Sequence, residues 1–390
     1  MAAVAADGRS ARTASGGGWL RRRRRRDEAG EGDSRGTGTW RPIPVAPIGG
    51  RTSAASQWTG RELVVWGGGR CTGNPCSGDN VEPQSDGAAY DPAADSWRRI
   101  APSPLSARSG SASVWTGKEV VVWGGSAGDT AFADGAAYDP GANSWRPLAP
   151  SPLSARRTNA VWTGTEMLSW GGQNPDTGEY LADGAAYDPA ADRWRVLPPS
   201  PLSARDLRSG VAWTGREMVL WGGGTSDVAF ADGAAFDPAS DRWRMLAPSP
   251  LAGRFSRGVW ADREVVVWGG EDWRQVFNDG AAYDPAADTW RPLSSSPLSG
   301  RVGTAGVWTG QELLIWGGTP GTFNNFFADG AAYNPSSDRW RRLPTSSGRF
   351  ASGAVWTGRE MLVWGGIVPL PGPGRMTQIE SPADGHRLTP

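Results

Sequence analysis

The sequence predicts an all-β protein, a seven-bladed β-propeller with four antiparallel strands per blade. Three observations carry that expectation. The tripeptide Trp-Gly-Gly occurs seven times, beginning at Trp66, Trp123, Trp170, Trp221, Trp268, Trp316 and Trp364, at spacings of 47 to 57 residues. A fixed period of that size is the mark of one supersecondary unit copied around an axis. The 23 Trp, 56 Gly and 31 Pro in 390 residues point the same way, because counts so skewed come from a few structural positions repeated many times. Finally, the copies have the same parts in the same order, from a segment of small residues ending in Trp-Thr-Gly (Trp-Ala-Asp at Trp260) to a Trp-Arg pair.

Taken in order, these parts read as strands a, b, c and d. Strand a is built of Ser, Ala, Gly and Val (SGSASV, GTAGV), side chains small enough for sheets that converge on an axis. Thr-Gly then makes a tight a–b turn. Strand b (ELVVWGG, EVVVWGG) is apolar throughout, as suits a strand covered on both faces. A loop of variable length leads to strand c, DGAAYDP, whose Asp-Pro starts the c–d turn. Strand d supplies Trp97, Trp145, Trp194, Trp243, Trp290 and Trp340, each followed by Arg. There the blades diverge and more volume must be filled, and the Arg is expected to discourage pairing of an exposed edge. All the Trp of strands a, b and d are expected to be mostly buried.

The d strand occurs six times in its own repeat, and Trp40-Arg41-Pro42 supplies the seventh copy. At the other end DGHRLTP, residues 384–390, stops where a d strand is due. The N-terminal strand is therefore expected to complete the C-terminal blade, which ties the chain ends together and removes two open edges. The propeller then spans 39–390, and residues 1–38, rich in Gly, Ser, Ala and Arg, read as a disordered tail. Its Arg21 to Arg26 run is expected to be solvated, with a nucleic-acid or membrane role as the competing reading.

Composition excludes several classes. Residues 1–38 hold nine Arg against five acidic groups, leaving 31 basic and 35 acidic residues in a mildly acidic body. Such a body is not a general nucleic-acid binder. No apolar stretch approaches a membrane span. No signal peptide is visible on this chain, so the cytoplasm is the default compartment unless the true start differs. Cys71 and Cys76, in CTGNPC, are too few for a zinc site or a disulfide framework; a local disulfide and two free thiols are both open.

Trp-Gly-Gly after an apolar strand, then Tyr-Asp-Pro, then Trp, at a period near 48, resembles the kelch repeat over residues 40–390. The resemblance implies a propeller that serves as a scaffold for protein or glycan recognition. The Trp before Gly-Gly departs from many kelch repeats, which carry smaller residues there. Trp-Asp and the Asp boxes of sialidases do not occur in the sequence, and Gly-His occurs once, at Gly385-His386, so the paired landmarks of WD40 repeats do not recur. Some kelch-like propellers are enzymes. A galactose-oxidase-like copper site needs two His, and this chain has one, His386. A Ser-His-Asp arrangement would depend on the same residue. Residues 174–179, NPDTGE, offer oxygens to calcium but read as an ordinary turn. No cofactor and no metal are expected.

Loops d–a and b–c share one face, and the b–c loops vary most, so specificity is expected there. Seven Arg begin strand a (Arg51, Arg108, Arg156, Arg205, Arg254, Arg301, Arg349), and seven Asp begin strand c (Asp86, Asp134, Asp183, Asp232, Asp279, Asp329, Asp384). They either pair with one another as struts or present part of the Arg ring to a carboxylate, which guanidinium groups bind bidentately. Blades 3 to 5 break the symmetry with Arg157, Arg208 and Arg257. The candidate ligand contacts are therefore Arg156, Arg157, Arg205, Arg208, Arg254 and Arg257, with Tyr180 and Trp273 as stacking surfaces. No catalytic residue is assigned. The Glu that opens each b strand recurs seven times and reads as structural. The expected function is a non-catalytic, monomeric binding module for a protein or an acidic glycan or peptide. The alternative is a carbohydrate-modifying enzyme resembling the kelch-type sialate mutarotases, with Asp206 as its one asymmetric acid–base candidate.

Overall fold

The computed structural model describes residues 37–73, 80–206, 210–322, 325–350, 352–370 and 378–390. Most of the expected tail, Cys76 and Arg208 lie outside them. Seven four-stranded antiparallel sheets form seven blades in the order a-b-c-d. Blade 1 runs Ala55–Trp58, Leu63–Trp66, Gly87–Asp91 and Ser96–Arg99, and each later blade repeats it. Blade 7 takes a, b and c from Gly353–Trp356, Met361–Trp364 and Gly385–Thr389, and d from Thr39–Ile43. The register of that closure pairs Thr39 with Thr389 and Ile43 with Gly385.

Why these residues hold blades together is seen in three rings that run through every repeat. The b-strand Trp of each blade packs against the d-strand Trp of the next, at 5.0–6.0 Å between ring centroids, in tilted or edge-on geometry. Such pairs add to the area they bury. Trp316–Trp40, on the N-terminal strand, joins blade 6 to blade 7, and Trp364–Trp97 joins blade 7 to blade 1, which closes the circle. Each d-strand indole N–H then donates to a carbonyl just beyond the d strand of the preceding blade, at 2.8–3.0 Å, with Trp40 reaching Pro344 and Trp97 reaching Pro44. Two-sided apolar b strands such as Val120–Trp123 feed the cores on both sides of a blade.

One expectation about side chains holds and one is corrected. The b-strand Trp are buried, and the a- and d-strand Trp are mostly buried with a minor part of each side chain exposed. In blades 1 to 6 the Arg after the d-strand Trp is not left free as an edge guard but is bonded to the Glu that opens strand b, whereas Arg41 of blade 7 is exposed. Arg98 grips Glu62 of its own blade and the Tyr138 hydroxyl of the next, and Arg146, Arg244 and Arg291 repeat this with Glu119 and Tyr187, Glu217 and Tyr283, and Glu264 and Tyr333. The strand-opening Glu is thus one end of a strut between blades. The Tyr hydroxyls donate in turn to Asp or Asn five residues on, as Tyr187 does to Asp192 at 2.6 Å. That residue holds the c–d turn with positive φ, +48° at Asp192, a conformation Asp and Asn tolerate better than most side chains.

Candidate functional site

The loop face is organised by the Arg ring. All seven side chains are buried, and each guanidinium meets the Asp that precedes its own strand c at 2.5–2.9 Å. In four blades an aromatic ring lies over the guanidinium, as Phe277 does on Arg254 at 3.7 Å. The same Arg also binds backward: its carbonyl accepts the second Gly N–H of the preceding blade at 2.7–3.0 Å, from Gly68→Arg108 round to Gly366→Arg51. This explains the double Gly. Gly67 has φ +66°, and a Cβ there would lie 2.9 Å from the Arg108 carbonyl oxygen. Charge on Arg and backbone on Gly thus fasten neighbouring blades at one point.

This placement corrects the expectation for Arg156, Arg205 and Arg254. Their side chains are buried and every nitrogen is occupied: Arg205 donates Nε to the Ser203 carbonyl, Nη1 to Gly222 O and Asp232, and Nη2 to Asp232. They form the wall, their guanidinium nitrogens bonded within the protein. Tyr180 also does not line the central cavity; its backbone pairs with Gln173 in the blade 3 loop. Asp176, of the calcium-like loop, accepts the Ala131 N–H of blade 2 at 2.8 Å, the behaviour of an ordinary turn.

Inside the ring, the axial channel holds a cavity of about 630 Å³. Its wall is rich in hydroxyl and amide groups, among them Ser56, Gln57, Ser113, Thr158, Asn159 and Thr304. The residues that follow the ring Arg carry its variation. In every blade that residue forms an isolated bridge to the residue after Gly-Gly, so the backbone is held alike while the side chain differs: Thr52, Ser109, Arg157, Asp206, Phe255, Val302 and Phe350. Of these, Arg157, Asp206, Phe255, Val302 and Phe350 line the cavity, joined by Glu271 and Arg257. Beside the ring residues Arg51 and Arg301, blades 3 to 5 therefore supply the charge that departs from the repeat, and Phe255, Val302 and Phe350 an apolar side.

Arg157 donates Nε to Ser126 Oγ at 2.5 Å and Nη2 to Gly128 O, so it lines the cavity while tied to blade 2. Arg257 differs. Its side chain reaches solvent in the channel and lies along Gly306 of blade 6, and it has no hydrogen bond or ion pair among the described residues. It is exposed to the water of the channel, and desolvation by the protein around that channel holds its guanidinium below the usual Arg range. Trp273 sits on the blade 5 b–c loop, 44% exposed, stacked on Phe255 at 5.0 Å, with its N–H on the Thr225 carbonyl at 3.2 Å. Its φ of +71° is strained for a bulky residue. Of the residues expected from sequence, the structure thus brings Arg157 and Arg257 together on one cavity and puts Trp273 at its rim through Phe255. Phe255, Phe350 and Glu271 were missed; the residue after each ring Arg, read across the repeats, was the signal that held the two Phe.

Two candidate cysteine states are narrowed: Cys71 is disulfide-bonded. No group of three or more metal-ligating side chains of the His, Cys, Asp and Glu types occurs among the described residues. Among the described residues no helix is long and apolar enough to cross a membrane.

The kelch-repeat domain described as KLHDC2/KLHL20/DRC7 matches residues 50–255 and 157–366. No curated protein matches the sequence. Among solved structures, the one titled "Structure of YjhT" superposes with a TM-score of 0.58 at 16% identity, covering 77% of this chain and 99% of that one, a likeness of fold alone. With its period, rings and closure accounted for, the chain belongs to the kelch-repeat family.

Proposed function

We propose that this propeller is a non-catalytic binding module that takes an anionic ligand, an acidic glycan or a carboxylate-bearing peptide, at the mouth of the axial channel between blades 3 and 5. One observation carries the reading. Arg257 carries a guanidinium that has no hydrogen bond or ion pair among the described residues and lines a cavity of about 630 Å³ open to water. A guanidinium so placed complements a carboxylate from outside, which it binds bidentately. The hydroxyl-lined wall supplies donors and acceptors for the rest of a polar ligand, and Phe255, Val302 and Phe350 an apolar side. A protein partner would reach the same mouth through the b–c loops.

The test is a calorimetric screen of acidic saccharides and peptides against their neutral counterparts, repeated with Arg257→Gln. Loss of one charge-assisted contact should weaken binding by about 1.5–3 kcal/mol, with thermal unfolding unmoved. If Arg257→Gln destabilises the fold and leaves binding intact, the residue is a strut and the reading fails. A second reading is favoured by Asp206 and Glu271, which both line the cavity and bring to it two carboxylates of the kind an acid–base enzyme acting on a sugar uses. Turnover of a bound sugar that Asp206→Asn abolishes would establish it.

A further inference from the structure

Strand d forms the outer edge of every blade, so each blade turns an open strand edge towards the rim. The strand register makes these edges comparable. The d residue opposite the second residue of strand c is Arg99, Pro147, Val196, Met245, Pro292, Arg342 and Pro42 in blades 1 to 7. Five of the seven are Pro, which lacks the N–H an added strand needs, or a charged Arg; both are common guards of an open edge. Blades 3 and 4, which are neighbours, have neither. Val196 and Met245 stand there 61% and 46% exposed.

The first residue of the same strands supplies the charge. It is Arg193 in blade 3 and Arg242 in blade 4, exposed side chains with no ion pair among the described residues. Nearby carboxylates are already used: Asp241 is held by Arg195 at 2.9 Å, and Asp192 accepts the Tyr187 hydroxyl and the Ala149 N–H. A shallow groove of about 410 Å³ lies between the two blades, lined by residues 198–201 and 241–243. Side chains alternate across a strand, so Arg193 and Val196, three positions apart, project to opposite faces, and Arg242 and Met245 do the same.

The geometry points to an edge-docking site on the rim of blades 3 and 4, for an extended segment of a partner protein in which carboxylates alternate with apolar side chains. Such a segment adds as a strand through its backbone, sets its acids beside Arg193 or Arg242, and lays its apolar face over Val196 or Met245. This surface is separate from the channel mouth and does not depend on the function proposed for it.

The experiment uses the full chain and two fluorescent eight-residue probes, one alternating Glu and Val and one alternating Lys and Val, read by anisotropy. The double variant Val196→Pro, Met245→Arg places at each edge a residue that the same position already holds in other blades, so the fold accepts it. The Glu-Val probe should bind the natural protein and lose at least about tenfold, or 1.4 kcal/mol, in the variant, while thermal unfolding and the response of the channel to anions stay unchanged. Arg193→Ser with Arg242→Ser should weaken the Glu-Val probe alone. Equal affinity of natural protein and variant, or equal binding of the two probes, would overturn the proposal. So would sedimentation showing that the natural chain self-associates through this edge and the variant does not.

Discussion

Arg254 and Arg257 stand three residues apart in the same d–a connection and have opposite fates. Arg254 belongs to the wall: it is buried, bonded to Asp279 at 2.5 Å, and covered by Phe277. Arg257 belongs to the channel: it reaches water, has no partner among the described residues, and is held below its usual range by the protein around it. The first is copied in all seven blades and the second is not. Repetition here marks the frame, since seven identical interfaces need seven identical fasteners. Departure from the repeat marks the place where one blade does something its siblings do not.

The comparison breaks first, and most, at the frame. Deleting residues 39–46 together with 1–38 removes Trp40 from Trp316 and strips the outer strand from blade 7. Relative to deletion of 1–38 alone, it should lower the unfolding free energy by more than about 5 kcal/mol, above the cost of losing one buried Trp. Equal denaturant midpoints for the two proteins would mean that the ring is closed by something else.

Next comes the direct contrast between wall and channel. Asp232→Asn should cost about 2–3 kcal/mol, the low end for breaking a buried pair because the carboxylate is 42% exposed while Arg205 is fully enclosed. Arg257→Met should leave stability within about 0.5 kcal/mol, because its side chain is exposed in the channel and holds no partner among the described residues, while anion binding falls. Urea titrations of both variants decide the matter; a destabilised Arg257→Met would place this residue in the wall after all.

The smallest effect is a pH dependence at the seam. Burial and the Arg349 guanidinium, 3.3 Å from its Nδ1, hold His386 below its ordinary value of 6.5. The unfolded chain therefore takes up a proton near pH 6.5 that the folded protein resists until lower pH. Stability is complete above that value and falls as pH drops through it towards the folded value. His386→Gln should flatten this part of the curve between pH 7.5 and 5.5, and an unchanged slope would assign the dependence to other groups.

The sequence by itself determined the blade count, the strand order and the closure through Trp40, because each is a consequence of spacing and of alternation along the chain. It also named both partners of the Arg–Asp ring, though not which of its two readings held. What only the tertiary structure decided was direction. Arg156, Arg157, Arg254 and Arg257 are one residue type within one kind of loop, and nothing in spacing says which guanidinium turns into the wall and which into the channel. The Arg after the d-strand Trp in blades 1 to 6 was misread for the same reason: its partners, Glu62 and Tyr138 for Arg98, lie 36 and 40 residues away. Phe255 and Phe350 line the cavity only because seven blades converge there. A repeat encodes its own sheet locally, but a site at the axis is assembled from side chains of several blades, and only closure of the ring brings them together.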